Sequence, residues 1–203
     1  MSLPTSSTAL RIIETAEKIF ITSGFSRVSM DELARELGMS KKTLYAHFDS
    51  KDALLKAVLE RRVTRVNAEL EFVIASKRTF TEKLHDIFDL LRKRLGEVSP
   101  VFVDDLRRSA PECFAIIEKA RGEMIPRQFG KLFAEGVASG DLRPDLDLPL
   151  LQRVLVTLVQ TIVRPETMAE LQCGPNVLMS RILNLFFVGI LSEQGRRSIS
   201  QVP

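Results

Sequence analysis

A short segment in the first quarter of the chain gathers side chains that suit contact with a polyanion. It contains Lys41, Lys42 and Tyr45 and no acidic residue before its end at Phe48. Leu44 and Phe48 are four residues apart, so on a helix they share one face and leave the lysines and the tyrosine outside. Lysine ammonium groups bind phosphate oxygens, and a phenol exchanges hydrogen bonds with polar edges. The spacing predicts an exposed helix face with nucleic-acid-binding chemistry.

Two short helices and a turn are expected to position that face. Glu32 follows Ser29 by three residues, which is the spacing of a capping box and predicts a helix beginning at Ser29. Gly38 supplies a residue that tolerates the positive φ of a sharp turn, and Ser40 is the next helix cap. A preceding helix over residues 8–23 covers the pair with its apolar side. The pattern predicts a helix-turn-helix, whose second helix can enter the major groove of DNA.

The wider composition narrows the class of protein. Of the 203 residues, 45% are hydrophobic, and they recur at three- and four-residue spacing, which predicts an all-α fold. The formal net charge of +3 permits nucleic-acid binding without requiring it. The sequence has no glycine-rich phosphate loop, no serine nucleophile motif and no metal-ligand spacing. We therefore expect no enzyme activity, no catalytic site, no metal site and no cofactor.

The cysteines and the apolar runs bear on where the protein works. Cys113 and Cys173 lie far apart and outside any ligand spacing, so each is expected to be a buried free thiol. Residues 1–7 are polar, which predicts a disordered tail and not a signal peptide. The longest apolar run, residues 182–191, is well short of the ~20 residues of a membrane span. We expect a cytoplasmic protein without a membrane segment.

Breaks in the hydrophobic pattern divide the remainder of the chain. The expected helices run over about 50–76, 80–95, 100–108, 111–138, 148–163 and 177–191. Pro126 should kink or split the helix that contains it, and a break is expected over 165–175. A soft boundary near Arg61 then separates a head domain, 8–60, from a body domain, 61–203.

The last two of these helices carry apolar stripes wider than a surface helix needs. Their apolar residues are Leu148, Leu150, Leu151, Val154, Leu155, Leu158, Val159 and Ile162 in the first, and Val177, Leu178, Ile182, Leu183, Leu185, Phe186, Phe187, Ile190 and Leu191 in the second. Such a stripe buries one face in its own core and a second face against another partner. The alternative is that both helices are simply central core.

Five stretches of the head resemble a known family. The runs Val28–Ala34, Leu37–Phe48 and Ser50–Leu55, together with Ala16–Phe20 and Gly24–Phe25, are similar to the head of the TetR (tetracycline-repressor) family. Many positions agree at fixed spacing without gaps over about the first sixty residues. The resemblance implies an all-α homodimer, with an N-terminal three-helix helix-turn-helix head joined to a C-terminal helical bundle. It also implies that the last two long helices pair with their copies across a twofold axis.

The resemblance assigns DNA contacts residue by residue. The matching positions are Ser29, Lys41, Lys42, Thr43, Tyr45, His47 and Lys51. Lys41, Lys42 and Tyr45 would face bases or nearby phosphates, and the other four would grip phosphates. Five of them have a plainer alternative when taken singly. Lys41 and Lys42 could be solvated charges, and Tyr45 could be a capping aromatic with its hydroxyl in water. His47 could be a histidine at the edge of the core, and Lys51 could merely precede a helix.

The resemblance also implies a ligand pocket among the middle helices. The candidate lining and anchoring residues are His85, Phe88, Phe102, Asp105, Arg108, Phe114, Arg121 and Met124. Plain core packing is the alternative for the aromatic and methionine side chains, and Asp105 and Arg108 have the spacing of a simple ion pair.

These patterns together predict a transcription regulator that binds double-stranded DNA. The common family mode is a homodimeric repressor, released from a palindromic operator by an unidentified small-molecule effector. Two rival interpretations stay open, namely a helical adaptor and a regulator whose C-terminal domain binds a protein partner. The sequence does not identify the operator, the ligand or the regulated genes.

Overall fold

The computed structural model describes residues 7–199, and across them the chain is helical. The helices are α1 (Ser7–Ser23), α2 (Met30–Glu36), α3 (Lys41–His47), α4 (Lys51–Ala75), α5 (Phe80–Gly96), α6 (Pro100–Ser109), α7 (Pro111–Ala138), α8 (Leu148–Ile162), α9 (Pro165–Glu170), α10 (Pro175–Ile190) and α11 (Glu193–Ile199). The only β-type pairing in this range is an isolated antiparallel bridge between Leu142 and Leu191. The all-α prediction is confirmed.

The helices form two compact units. The first unit runs to Arg65 and includes Glu97–Ile117, and the second holds Val66–Gly96 and the chain from Glu118 onward. Helix α4 therefore begins in the first unit and ends in the second. The predicted division assigned DNA binding to residues 8–60, and ligand sensing and dimerisation to residues 61–203. This assignment stays a prediction.

The first unit is built around an apolar core shared by its short helices. Helix α1 buries Ile12, Ala16 and Phe20 at the spacing of one helix face. These side chains belong to the same core as Leu33 of α2 and Leu44 of α3, both fully buried. Burying such side chains contributes roughly 1.5–3 kcal/mol each, so this core rather than the short helices' own propensity holds α2 and α3 in place.

A buried charge cluster ties α1 to α4 within this unit. The Glu17 side chain, 8% exposed, accepts hydrogen bonds from Arg62 at 3.0 Å and from Arg65 at 2.5 Å. Arg62 also pairs with Glu97 at 3.1 Å. Because a buried carboxylate is stable only with its charge paired, Glu17 fixes the register of these arginines against α1.

The core of the second unit centres on phenylalanines. Phe187 of α10 packs edge-on against Phe88 of α5, with ring centroids 5.7 Å apart, and against Phe186 at 5.4 Å. Phe133 of α7 lies 6.1 Å from the Phe187 ring. Helix α10 packs mainly on α5 and also on α8. The apolar stripe of α10 is thus partly central core, as one of the two alternatives proposed.

Several expected breaks differ from the observed ones. Pro126 removes one backbone donor, but α7 continues through it, so the predicted split is wrong. The break expected over 165–175 contains the short helix α9, which Pro165 starts at its first position. Helix α11 was not predicted at all. The predicted tail, residues 1–7, lies outside the described residues except for Ser7, which begins α1.

The structure tests the predictions made for the two cysteines and for a membrane segment. Cys113 and Cys173 are free, as expected, but both are half-buried and not fully buried. Burial raises the pKa of the Cys113 thiol, which lowers its thiolate content and its reactivity. Among residues 7–199, no helix has both the length and the apolar character to cross a membrane.

Candidate nucleic-acid interface

Helix α3 is held at both ends by local hydrogen bonds. The Ser40 hydroxyl accepts a hydrogen bond from the Thr43 amide at 3.0 Å, and the Phe48 amide donates to the Leu44 carbonyl at 3.0 Å. Gly38, in the turn before α3, has a φ of +63°, which a side chain disfavours. The predicted cap and turn are confirmed, and they fix where the exposed face of α3 begins.

The two faces of α3 separate as the spacing predicted. Leu44 is fully buried and Phe48 nearly so. Lys41, Lys42 and Tyr45 are exposed, and the Tyr45 ring shows 39% of its surface. A helix with two ammonium groups and a phenol on its open side presents donors to phosphates and to base acceptors.

Lys41 already has an anionic partner on the neighbouring helix. Its Nζ lies 2.8 Å from Oδ1 of Asp31, which is in the first turn of α2. The same Nζ is 5.9 Å from the centroid of the Tyr45 ring, within the range of a cation–π contact. The hydrogen bond from Lys41 to Asp31 and the charge of that carboxylate raise the pKa of the ammonium.

The predicted phosphate-gripping hydroxyls are part of helix caps. Ser29 and Glu32 form the predicted capping box: Ser29 Oγ accepts from the Glu32 amide, while Glu32 Oε2 accepts from the Ser29 amide at 2.8 Å. The Thr43 hydroxyl lies 2.8 Å from the Ser40 hydroxyl. His47 is exposed, so the alternative of a core-edge histidine is wrong. All these groups lie in α2, α3 or their caps.

Lys51 occupies a different environment. Its Nζ donates to the carbonyls of Phe25 at 2.9 Å, Ser26 at 3.3 Å and Val28 at 3.1 Å. The ammonium also sits 5.3 Å from the Phe25 ring centroid. Three carbonyl acceptors match the three protons of an ammonium, so this geometry favours a structural role in closing the loop between α1 and α2.

Asp105 holds the same loop from the other side. Its Oδ2 accepts a hydrogen bond from the Ser26 amide at 3.0 Å. A Cβ added at Gly24, whose φ is +83°, would lie 2.5 Å from that oxygen and 2.8 Å from a Val101 methyl. The predicted pairing of Asp105 with Arg108 is wrong, because Arg108 instead reaches Asp104, one helical turn away, at 3.0 Å.

The eight predicted pocket residues are divided between the two units. Phe102, Asp105, Arg108 and Phe114 belong to the first unit, where Phe102 is part of the helix-turn-helix core. His85, Phe88, Arg121 and Met124 belong to the second. His85 pairs with Asp89 at 3.4 Å and is 40% exposed. The structure therefore does not gather the eight into one cluster within a unit, and their role in ligand binding stays a prediction.

Arg121 is the most enclosed of the predicted anchors. Its side chain is 13% exposed, pairs with Glu118 at 3.4 Å and donates to the Val163 carbonyl at 2.9 Å. Burial lowers the pKa of this guanidinium, and the Glu118 carboxylate offsets part of that effect. An arginine still carries its charge under these conditions, so Arg121 adds a positive charge to the interior of the second unit.

The sequence reasoning missed a pair of amides on α7 and α4, of which Gln128 is buried and Asn67 is half-buried. Gln128 is fully buried, and its Nε2 donates to Oδ1 of Asn67 at 3.2 Å. The Gln128 Oε1 is buried and has no hydrogen-bond partner. The available signal was the run Ile125–Phe133, where Gln128 falls on the apolar side of the helix. Leaving such an acceptor unpaired costs about 1–3 kcal/mol.

Helices α8 and α10 also carry apolar side chains that are exposed to solvent. The most exposed are Leu185 at 77% and Leu150 at 59%. Val154 on α8 and Val188 on α10 are exposed on the same sides, at positions three or four residues from these leucines. Both predicted wide stripes therefore keep an uncovered part.

The comparisons with known proteins bear on this geometry. The family model for bacterial regulatory proteins of the tetR family matches residues 12–58, which contain all seven predicted DNA-contacting residues. The HTH-type transcriptional regulator UidR of Escherichia coli K12 is 25% identical over 154 residues, covering 74% of this chain and 77% of UidR. Residues 12–58 therefore match the DNA-binding head of tetR-family regulators, and α3 lies inside the matched range. The contact of each side chain with DNA stays a prediction.

Solved structures extend the TetR-family likeness along the chain. A transcriptional regulator from Saccharomonospora viridis in complex with choline has a TM-score of 0.66 at 22% identity, covering 91% of this chain and 97% of that one. The regulator FadR from Bacillus subtilis in complex with stearoyl-CoA has a TM-score of 0.53 at 21% identity, covering 89% and 98%. The helical body of this protein therefore shares its fold with these two regulators. No group of residues in the described part of the chain has the makeup of a metal site.

Proposed function

We propose that this protein is a homodimeric transcription repressor of the TetR family that binds a palindromic operator and leaves it when a small molecule binds its second unit. The observation that carries the proposal is the exposed, basic face of α3, held by two confirmed caps inside a matched helix-turn-helix. Two such helices related by a twofold axis read half-sites spaced by about 34–36 Å or a multiple of it.

Dimer formation is proposed through the uncovered sides of α8 and α10. Leu150, Val154, Leu185 and Val188 line these sides, and exposed leucines in such number are costly in a monomer. A second copy of the chain would cover them and would fix the separation of the two recognition helices.

The ligand site is proposed in the second unit, near the middle of α7. Its interior holds a fully buried acceptor without a partner, Gln128 Oε1, and an enclosed cation, Arg121. Structural relatives that bind choline and stearoyl-CoA support a small-molecule ligand. An organic molecule with an apolar body and a hydroxyl or amide donor suits these groups.

The proposed coupling uses α4, which is continuous from the first unit into the second. Asn67, the partner of Gln128, lies on this helix. A ligand that binds Gln128 changes the environment of Asn67 and so favours one of two states of α4. The effect on operator affinity equals the ratio of the ligand's affinities for those states.

The direct test is a nuclease footprint on the DNA upstream of the protein's own gene, across a salt series. A protected, roughly palindromic site whose affinity falls steeply with salt is the expected result. If that DNA is not protected, a genome-wide selection for bound fragments follows. Recovery of no specific fragment by protein shown to be folded would contradict the proposed function.

One prediction concerns Lys42, which is exposed on α3. Lys42→Met should weaken operator binding and make the slope of log affinity against log salt shallower by about 1.8, because each of the two heads loses one phosphate contact worth about 0.9. The control is Lys131→Met, which removes an exposed charge on α7 in the second unit. If the two variants have the same slope, Lys42 makes no phosphate contact.

A second prediction concerns the orphan acceptor. Gln128→Leu should change the free energy of unfolding by less than about 1 kcal/mol, because removing the unpaired oxygen offsets the loss of the hydrogen bond to the half-buried Asn67. The matched control is Gln160→Leu, which removes a satisfied hydrogen bond to the Glu118 carbonyl and should destabilise the protein. Urea titration of both variants makes the comparison. Equal destabilisation by both would mean that the Gln128 oxygen is already satisfied.

A further inference from the structure

The Lys41 ammonium, on the exposed side of α3, is already paired with a carboxylate of the same chain. Lys41 begins α3, and Asp31 lies in the first turn of α2, ten positions earlier in the chain. Their side chains meet at 2.8 Å while both stay largely in solvent, at 59% and 64% exposure. The ammonium also lies 5.9 Å from the centroid of the Tyr45 ring. The Asp31 carboxylate therefore takes up hydrogen-bonding capacity of Lys41 that a phosphate oxygen could otherwise use.

A carboxylate in this position opposes DNA in two ways. Lys41 must leave Asp31 before its charge can neutralise a phosphate. DNA binding therefore replaces the Lys41–Asp31 ion pair with a Lys41–phosphate pair and adds no further ion pair. The released carboxylate then faces the negative backbone of the duplex, which repels it. Both effects apply to DNA of any sequence, because every sequence presents phosphates.

We propose that Asp31 is an internal competitor for Lys41 that lowers the affinity of the head for DNA of any sequence. This inference rests on the proposed function. A non-specific duplex offers Lys41 a phosphate in exchange for Asp31, and an operator can offer it the O6 and N7 acceptors of a guanine. The cost of breaking the ion pair is the same in both cases. Asp31 therefore weakens specific and non-specific binding alike.

The test uses the full chain and two duplexes, the footprinted operator and a shuffled sequence of the same composition. Asp31→Asn should bind the shuffled duplex about three- to tenfold more tightly than the unaltered protein at low salt, as expected for releasing one exposed ion pair in each of the two heads. Its gain on the operator should be of similar size, so the ratio of the two affinities stays nearly constant. The control is Glu36→Gln, which removes an exposed acid from the same helix and should change either affinity less than about twofold.

A double-mutant cycle separates competition from general charge. In a Lys41→Met background, Asp31→Asn should give no more gain than Glu36→Gln. If Asp31→Asn equals Glu36→Gln in the unaltered background, or if its gain survives without Lys41, the inference is overturned. Weaker binding by Asp31→Asn would also overturn it, because Asp31 would then orient Lys41 for contact.

The design distinguishes failure of this inference from failure of the proposed function. If no operator exists, the shuffled duplex still reports the competition at low salt. Thermal denaturation checks that each variant is folded. Asp31→Ser is the second replacement, since serine also suits the first turn of a helix and removes the carboxylate.

Discussion

Leu185→Glu is expected to leave the protein monomeric and to lower its affinity for the operator by about 100-fold or more, because two linked heads bind far more tightly than one. Leu185 is the most exposed large hydrophobic residue on α10, with 77% of its surface uncovered. In the proposed dimer it lies against the second copy. A glutamate there would carry a charge into an apolar interface without a partner, which opposes association.

Analytical ultracentrifugation gives the mass of the variant, and binding to operator DNA gives its affinity. The control is Leu171→Glu, which introduces the same charge at a residue that is 51% exposed and caps α9, so it belongs to neither α8 nor α10. Leu171→Glu should stay dimeric and bind DNA normally. A dimeric Leu185→Glu would show that the two copies meet through another surface.

Glu17→Gln is expected to lower the free energy of unfolding by about 2–4 kcal/mol, because it leaves two arginines beside an uncharged amide in the interior. The loss in the free energy of unfolding should not exceed the loss caused by breaking a fully buried ion pair, because the Arg65 side chain is 35% exposed and partly reaches water. Arg62, only 11% exposed, keeps Glu97 as a partner but loses the nearer carboxylate. Urea denaturation followed by circular dichroism measures the change.

Glu14→Gln is the matched comparison. Glu14 is also on α1 and pairs with Arg61 of α4, but it is 53% exposed. Its replacement should cost no more than about 1 kcal/mol, as is usual for surface pairs. If the two variants lose equal stability, the Glu17 cluster is effectively solvated and does not fix α4 against α1.

The head was predictable because its signals are local. The Ser29 capping box, the Gly38 turn and the Ser40 cap each depend on residues within a few positions, and the structure has all three. The inward and outward faces of α3 follow from helix periodicity alone. Such features need no knowledge of distant partners.

What sequence reasoning missed depends on contacts between distant residues. Glu17 meets arginines more than forty positions away, and Lys51 meets carbonyls of the loop before α2. A lone glutamate or lysine in a sequence carries no sign of such partners. Gln128 was missed for the same reason, since its burial and its unpaired oxygen exist only in the folded chain.

The shortness of α3 has a consequence for how much information the protein can read. Seven residues make a helix about 10 Å long, which spans roughly three to four base pairs. Two half-sites of that size specify about six to eight positions, a pattern that random sequence repeats once in roughly 4,000–65,000 base pairs. A bacterial chromosome thus contains many matches by chance. The distance between the half-sites must supply the remaining selectivity. Changes of individual bases should therefore be tolerated better than changes in the spacing between the half-sites.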